Sequence, residues 1–199
     1  MPPKSAHTSR AWRIHELTGD FRLEDVWALP TPGGPDDFPD LVRLATSLDP
    51  SRSASRAVRT LFAFRWKAGE LLGWDGPEAG LDARVARVRD RLPADLRAAP
   101  GPEFDALPFT SLYLLEDEFA AEIANKTVHG VLHLGWVPAG TGGHRGEMAV
   151  YVKPNGRLGN AYMAAIAPSR HRLVYPPMLQ DIGRAWRRRA TAPPARAGR

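Results

Sequence analysis

Hydrophobic positions recur with a helical period through the first half of the chain and alternate with polar ones in the second. Phe38, Leu41, Leu44, Ala45 and Leu48 mark one amphipathic helix, with Asp36 or Asp37 as its N-cap and Pro39 in its first turn. A second helix is expected from Ser53 to Leu72, where Val58, Leu61, Phe62, Trp66 and Gly69 form a stripe and Gly73 is a fitting stop. A weaker helical pattern covers Leu81 to Leu92 through Val85 and Val88, and Pro93 ends it. Between Thr110 and Ala167 the period becomes two, which predicts three or four strands. Met178, Leu179, Ile182, Ala185 and Trp186 then form the stripe of a last helix that starts or kinks at Pro176 and Pro177. Arg10 to Leu17 reads as a first strand with Trp12, Ile14 and Leu17 inward. Residues 30–35 and 93–109 read as loop, and 1–10 and 190–199 as disordered tails. One domain over 11–189 of the α+β class is the expected plan.

The strands can be paired from their patterns. Taking Asn125-Lys126 as a two-residue turn sets Ile123 opposite Val128, Ala121 opposite Gly130 and Phe119 opposite Leu132. The other face then carries Glu122 opposite His129 and Glu118 opposite His133, so apolar meets apolar and acid meets histidine. Asn155-Gly156 signals a second hairpin that sets Val152 opposite Gly159, Val150 opposite Ala161 and Met148 opposite Met163. Joining the hairpins through residues 138–145 puts Trp136 opposite Met148, and aligns Glu118, His133, Tyr151 and Asn160 in one polar row.

The apolar face of this sheet holds small residues, among them Gly130, Gly159, Ala161 and Ala165, beneath an aromatic-rich helix. Such a strip predicts a ligand cavity lined by Phe119, Leu132, Trp136, Met148, Val150, Ala161 and Met163. Close packing of the helix would use the same space. Asp117 is the one acid on that face, opposite Leu134, and a buried carboxylate needs a partner or a raised pKa. On the polar face, Glu118–His133 and Glu122–His129 read as acid–base dyads, each glutamate raising the pKa of its histidine. Exposed cross-strand ion pairs, worth a few tenths of a kcal/mol, explain the same alternation. His129 and His133 lie about 13 Å apart on a strand, too far to chelate one metal.

Composition narrows the chemistry further. With 199 residues, 43% hydrophobic and 25% charged, the chain is long enough to bury its own core. It has no cysteine, which excludes disulfides, thiolate nucleophiles and cysteine-held metals. The loop Gly140-Thr141-Gly142-Gly143-His144-Arg145-Gly146 misses the dinucleotide spacing because Arg145 stands where a glycine is needed. No cofactor and no metal site are expected. No apolar run reaches membrane-spanning length and the first residues lack a secretory signal, so a cytoplasmic protein is expected. The net charge of +5 resides in six arginines within residues 184–199, without which the balance is 21 basic against 22 acidic residues. No aromatic platform accompanies them, which makes nucleic acid an unlikely partner and a solvated helix end the simpler reading.

The runs His129-Gly130-Val131-Leu132-His133-Leu134-Gly135-Trp136 and Met148-Ala149-Val150-Tyr151-Val152-Lys153-Pro154-Asn155-Gly156, with Tyr162 to Pro168 and Val174 to Pro176, resemble a known family. It is the bacterial family of domain of unknown function 2867, itself similar to START-like (SRPBCC) helix-grip proteins. The resemblance spans about His15 to Arg188. It implies a curved antiparallel sheet gripping a long C-terminal helix, often with an apolar cavity between them, and supplies no catalytic residues. Binding of a small hydrophobic molecule is the leading expectation. The alternatives are a cyclase or isomerase that uses Asp117, with Glu118 and His133 as further candidates, and a regulatory module that uses the basic tail. The pattern leaves oligomeric state open.

Overall fold

The computed structural model of the chain describes residues 1–52, 59, 87–124, 128–140, 142–154 and 175–189. Among these, five strands form one curved antiparallel sheet: β1 Arg22–Ala28, β2 Thr110–Leu114, β3 Glu118–Ala124, β4 Val128–Pro138 and β5 His144–Pro154. Their spatial order is β1-β5-β4-β3-β2, so β2 to β5 meander and β1 closes the far edge against β5. The helices are α1 Lys4–Thr8, α2 Ile14–Leu17, α3 Phe38–Thr46, α4 Ala94–Arg97 and α5 Tyr175–Arg189. The α+β plan with a sheet packed on a C-terminal helix is the observed architecture. The expected helix over 53–72 (residue 59 apart), the part of the helix expected over 81–92 that precedes residue 87, and the strands beyond Asn155-Gly156 lie outside the described residues; of the rest of 81–92, Arg89–Arg91 form a single 3-10 turn in place of an α-helix. Both edges of β5 are occupied, by β4 and β1.

Two expectations near the N-terminus are corrected. Residues 10–17 form no strand; Ile14–Leu17 is a helical turn, although Trp12, Ile14 and Leu17 are buried as expected. The cause is tertiary: the Glu118 carboxylate accepts the amide N–H groups of Arg13 and Ile14, an anion placed on the start of the turn. Residues 1–10 are not a loose tail either, since Lys4–Thr8 is helical and His7 has no exposed surface. Residues 190–199 lie outside the described residues.

The sheet is covered on both faces. One layer packs Phe119, Ala121, Leu134, Trp136 and Met148 against α3 and α5. The other packs Tyr113, Ala120, Val131, Ala149 and Tyr151 beneath the N-terminal segment and the turn from Val88 to Leu96. The acid–histidine face is therefore an interior, not a solvated ladder. Glu118, Glu122, His129, His133 and Glu147 are all at most 3% exposed.

The β3–β4 hairpin and the β4–β5 join both slide by two residues from the expected register. Glu118 pairs with Gly135, Ala120 with His133 and Glu122 with Val131; His133 pairs with Ala149, and Trp136 with Gly146. A slide of two keeps every side chain on its face, so pattern matching leaves it undetermined. Close approaches decide it. A Cβ on Gly135 would sit 2.8 Å from the Trp12 ring, and one on Gly146 would sit 2.6 Å from Leu41 of α3. Gly135→Ala is accordingly expected to destabilise by about 1–3 kcal/mol through overpacking, read as a lower urea midpoint. An unchanged midpoint would mean that Trp12 does not hold that position.

Helix α3 starts as expected at Asp37, whose carboxylate accepts the Gly34 amide at 2.9 Å. It buries Phe38, Leu41, Val42 and Thr46, with Leu44 and Ala45 at the margin. Helix α5 turns Tyr175, Ile182, Gly183 and Trp186 inward. Trp186 Nε1 donates to Pro32 O at 2.8 Å, and Arg189 lies over the Trp186 ring while contacting Asp37 and Asp40 at 3.1 and 2.8 Å. Arg184 pairs with Asp181. Arg184 and Arg189, from the arginine cluster, are thus paired with acids of the fold.

Candidate functional site

Phe119, Leu132, Trp136, Met148 and Val150 share the face that meets α5, while Ala161 and Met163 lie outside the described residues. One end of this face is closed. The Trp136 ring lies 6.2 Å from Phe38 and 5.9 Å from Trp186, and its Nε1 donates to Gly34 O at 2.9 Å. The other end differs. Leu132 and Val150, a directly opposed pair on the two central strands, are only half-buried, whereas Leu134 and Met148 beside them are buried. Trp27, Met178 and Leu179 are half-buried in the same cluster.

The acid on this face is Asp25, not Asp117. A bulge between Leu23 and Asp25 breaks the alternation of β1 and sets Asp25 opposite Val150. Asp25 is fully buried and accepts a hydrogen bond from the Tyr175 hydroxyl at 2.8 Å. Sequence reading missed it because the bulge hides the period; a carboxylate inside the run Leu23 to Leu29 was the only available signal. Asp117 falls in the exposed turn between β2 and β3, where its backbone oxygen accepts the Trp136 amide at 2.8 Å. Partial desolvation and the adjacent Glu118 charge raise its pKa, but it lines no part of the α5 face. The cyclase or isomerase reading loses its pocket acid there.

On the opposite face the histidines and glutamates meet diagonally. His129 Nε2 lies 2.7 Å from Glu122 Oε2, and His133 Nε2 lies 3.2 Å from Glu118 Oε1. Glu118 also accepts the Arg13 and Ile14 amides and the Tyr113 hydroxyl, at 2.9, 2.8 and 2.5 Å. Glu122 does the same for the Val88 and Arg89 amides at 2.9 and 3.1 Å. The two glutamates thereby fasten the two segments that cover this face. His7 is inserted between Glu147 and Tyr151, 2.8 Å from each, and His15 Nδ1 lies 3.1 Å from the Tyr151 oxygen. The His7 ring lies 5.1 Å from His133 and 5.3 Å from His15.

Burial pushes the Glu118 carboxyl up, but His133 and its hydrogen-bond donors outweigh that and leave it below the ordinary range. Glu122 and Glu147 are lowered in the same way by His129 and His7, against burial. The expected rise in the His133 pKa is reversed. Its complete burial disfavours the imidazolium more than Glu118 favours it. Among the described residues no group of three or more histidines and carboxylates is arranged to hold a metal ion, and no helix is long and apolar enough to cross a membrane.

Fold and faces together define an α+β protein with one apolar and one polar interior, on the two sides of a single antiparallel sheet. The chain belongs to the family described as "Protein of unknown function (DUF2867)", whose model matches residues 17–178. The covering residues from His7 to His15 precede the matched stretch. No curated protein and no solved structure matches the chain.

Proposed function

We propose that the chain binds a small hydrophobic molecule between the sheet and the first half of α5, as its START-like resemblance implies. The observation that carries this reading is the half-buried pair Leu132 and Val150. Residues on central strands facing a helix layer are ordinarily packed to near-crystalline density. A half-open apolar pair there leaves a surface that a ligand-sized apolar group would cover. Glu118 and His133 do not compete as catalytic groups in this reading, because their contacts serve the cover of the opposite face. The absence of cysteine suits the cytoplasm that we take as its compartment.

Thermal-shift screening against lipids and aromatic polyketide-like compounds tests the proposal. A binder present at about 100 times its dissociation constant should stabilise the protein by about 2.7 kcal/mol, a rise of several degrees. Val150→Trp should keep the fold and remove the shift. Failure of every compound to move the transition would end the proposal.

A further inference from the structure

We propose a second binding site, apart from the α5 face: the cavity between the turn Arg89–Arg91, the end of α4 and the edge strand β2 takes a small zwitterion of the amino-acid class.

The cavity has a volume of about 460 Å³, within the range of small-molecule sites. Buried Leu92 and Leu112 give it an apolar floor, and both belong to the layer on the side of the sheet away from α5. Its walls are fastened through the main chain. Glu122 accepts the Val88 and Arg89 amides and so holds the turn in place. The Leu114 amide donates to Ala99 O at 2.9 Å, which ties the segment after α4 to β2.

Four charged side chains border this floor: Arg89, Arg97, Asp90 and Glu103, all exposed. Elsewhere on the surface arginines meet acids, as Arg13 does Asp95 at 2.6 Å and Arg91 does Asp20 at 2.8 Å. Around the cavity they do not. Among the described residues neither Arg89 nor Arg97 lies within ion-pairing distance of a carboxylate, and Arg97 donates only to Leu92 O, at 3.0 Å. Asp90 and Glu103 each use one oxygen, on the Arg87 and Ser111 amides, both at 3.2 Å. A carboxylate accepts several hydrogen bonds at once, so each has capacity left. Ser111 also lines the cavity, and its buried hydroxyl has no hydrogen-bond partner, which leaves an unmatched polar group in the wall.

Spare donors and spare acceptors of both charges therefore border one cavity. A simple anion there would meet two acids, and a simple cation two arginines. A molecule that carries both charges satisfies both pairs, and its aliphatic part covers the leucine floor.

Three probes with one aliphatic chain separate the charges: L-norleucine, hexanoate, which lacks its amine, and pentylamine, which lacks its carboxylate. Each is titrated against the full chain at neutral pH and followed by backbone amide NMR. Norleucine should shift amides within 89–92, 97–103 and 111–112 saturably, with a Kd of about 1 mM or below. It should bind about fivefold or more tighter than either of the others, the return expected from one exposed charge pair. Arg89→Gln with Arg97→Gln should bring norleucine within about twofold of pentylamine, and Asp90→Asn with Glu103→Gln within about twofold of hexanoate. Should one of these double variants fail to fold, the other carries the comparison. An unchanged preference in the folded variants would overturn the inference. Hexanoate or pentylamine binding as tightly as norleucine would do the same, as would shifts confined to other residues or no saturable shift at all. Each of those results leaves the proposal for the α5 face standing, because the two sites share no residue.

Discussion

Glu118→Ala should destabilise the protein by about 3–5 kcal/mol, the range expected when one partner of a buried charged network is removed. The carboxylate has no solvent alternative: it is 2% exposed and accepts the Arg13 and Ile14 amides and the Tyr113 hydroxyl, with His133 beside it. Alanine leaves those amides and that hydroxyl buried without acceptors, and each unsatisfied group costs about 1–3 kcal/mol. Chain relaxation and water entry return part of that sum. Glu118→Gln keeps the shape and one acceptor oxygen but turns an N–H toward other donors, so an intermediate loss is expected. Urea unfolding measures both. A loss below about 1 kcal/mol for alanine would show that the N-terminal segment is not held by this carboxylate.

Acidification should act on the same side of the sheet. His133 is held below its ordinary pKa of about 6.5, so the unfolded chain binds its proton more readily than the folded one. Its contribution to stability is complete above that pH and declines as pH falls toward the lower folded value. Glu118, Glu122 and Glu147 are likewise lowered, so their contributions persist above the ordinary glutamate pKa and are lost as pH falls through their folded values. All four signs agree. Stability should begin to fall below about pH 6.5 and fall more steeply below about pH 4.5. Because Glu118, His133 and Glu147 lie under residues 7–14 and Glu122 under Val88 and Arg89, amide exchange in those two covering segments should accelerate before exchange in β4 and β5. Uniform acceleration across the sheet, or none by pH 5, would contradict this.

The faces of the strands were legible in the sequence because side-chain alternation survives any slide by two. Their register was not, since it rests on Trp12 reaching Gly135 and Leu41 reaching Gly146 from distant parts of the chain. The final helix and α3 were legible from their stripes. Val42 and Thr46 were missed: Thr46 reads as polar, yet its hydroxyl donates to Val42 O at 3.1 Å and it packs inward. The sequence leaves the polar row open between dyads and exposed ion pairs, because acids and histidines alternate with apolar residues in both a solvated and a doubly covered sheet. What distinguishes them is the cover, supplied by His7, Trp12 and Ile14, and no local pattern links those residues to β3 or β5. A bulge hides Asp25, and Asp117 points inward only if one strand runs unbroken from Leu112 to Ala124, where the chain instead turns between β2 and β3.

The central claim, that a ligand is covered where Leu132 faces Val150, is tested most directly by methyl NMR of the full chain during titration with 1-naphthalenemethanol. The account predicts shifts concentrated on the methyl groups of Leu132, Val150, Met178 and Leu179, with those of Val26, Val131 and Ala149 on the opposite face unmoved. Shifts confined to that opposite face, or no saturable shift at any methyl, would contradict it.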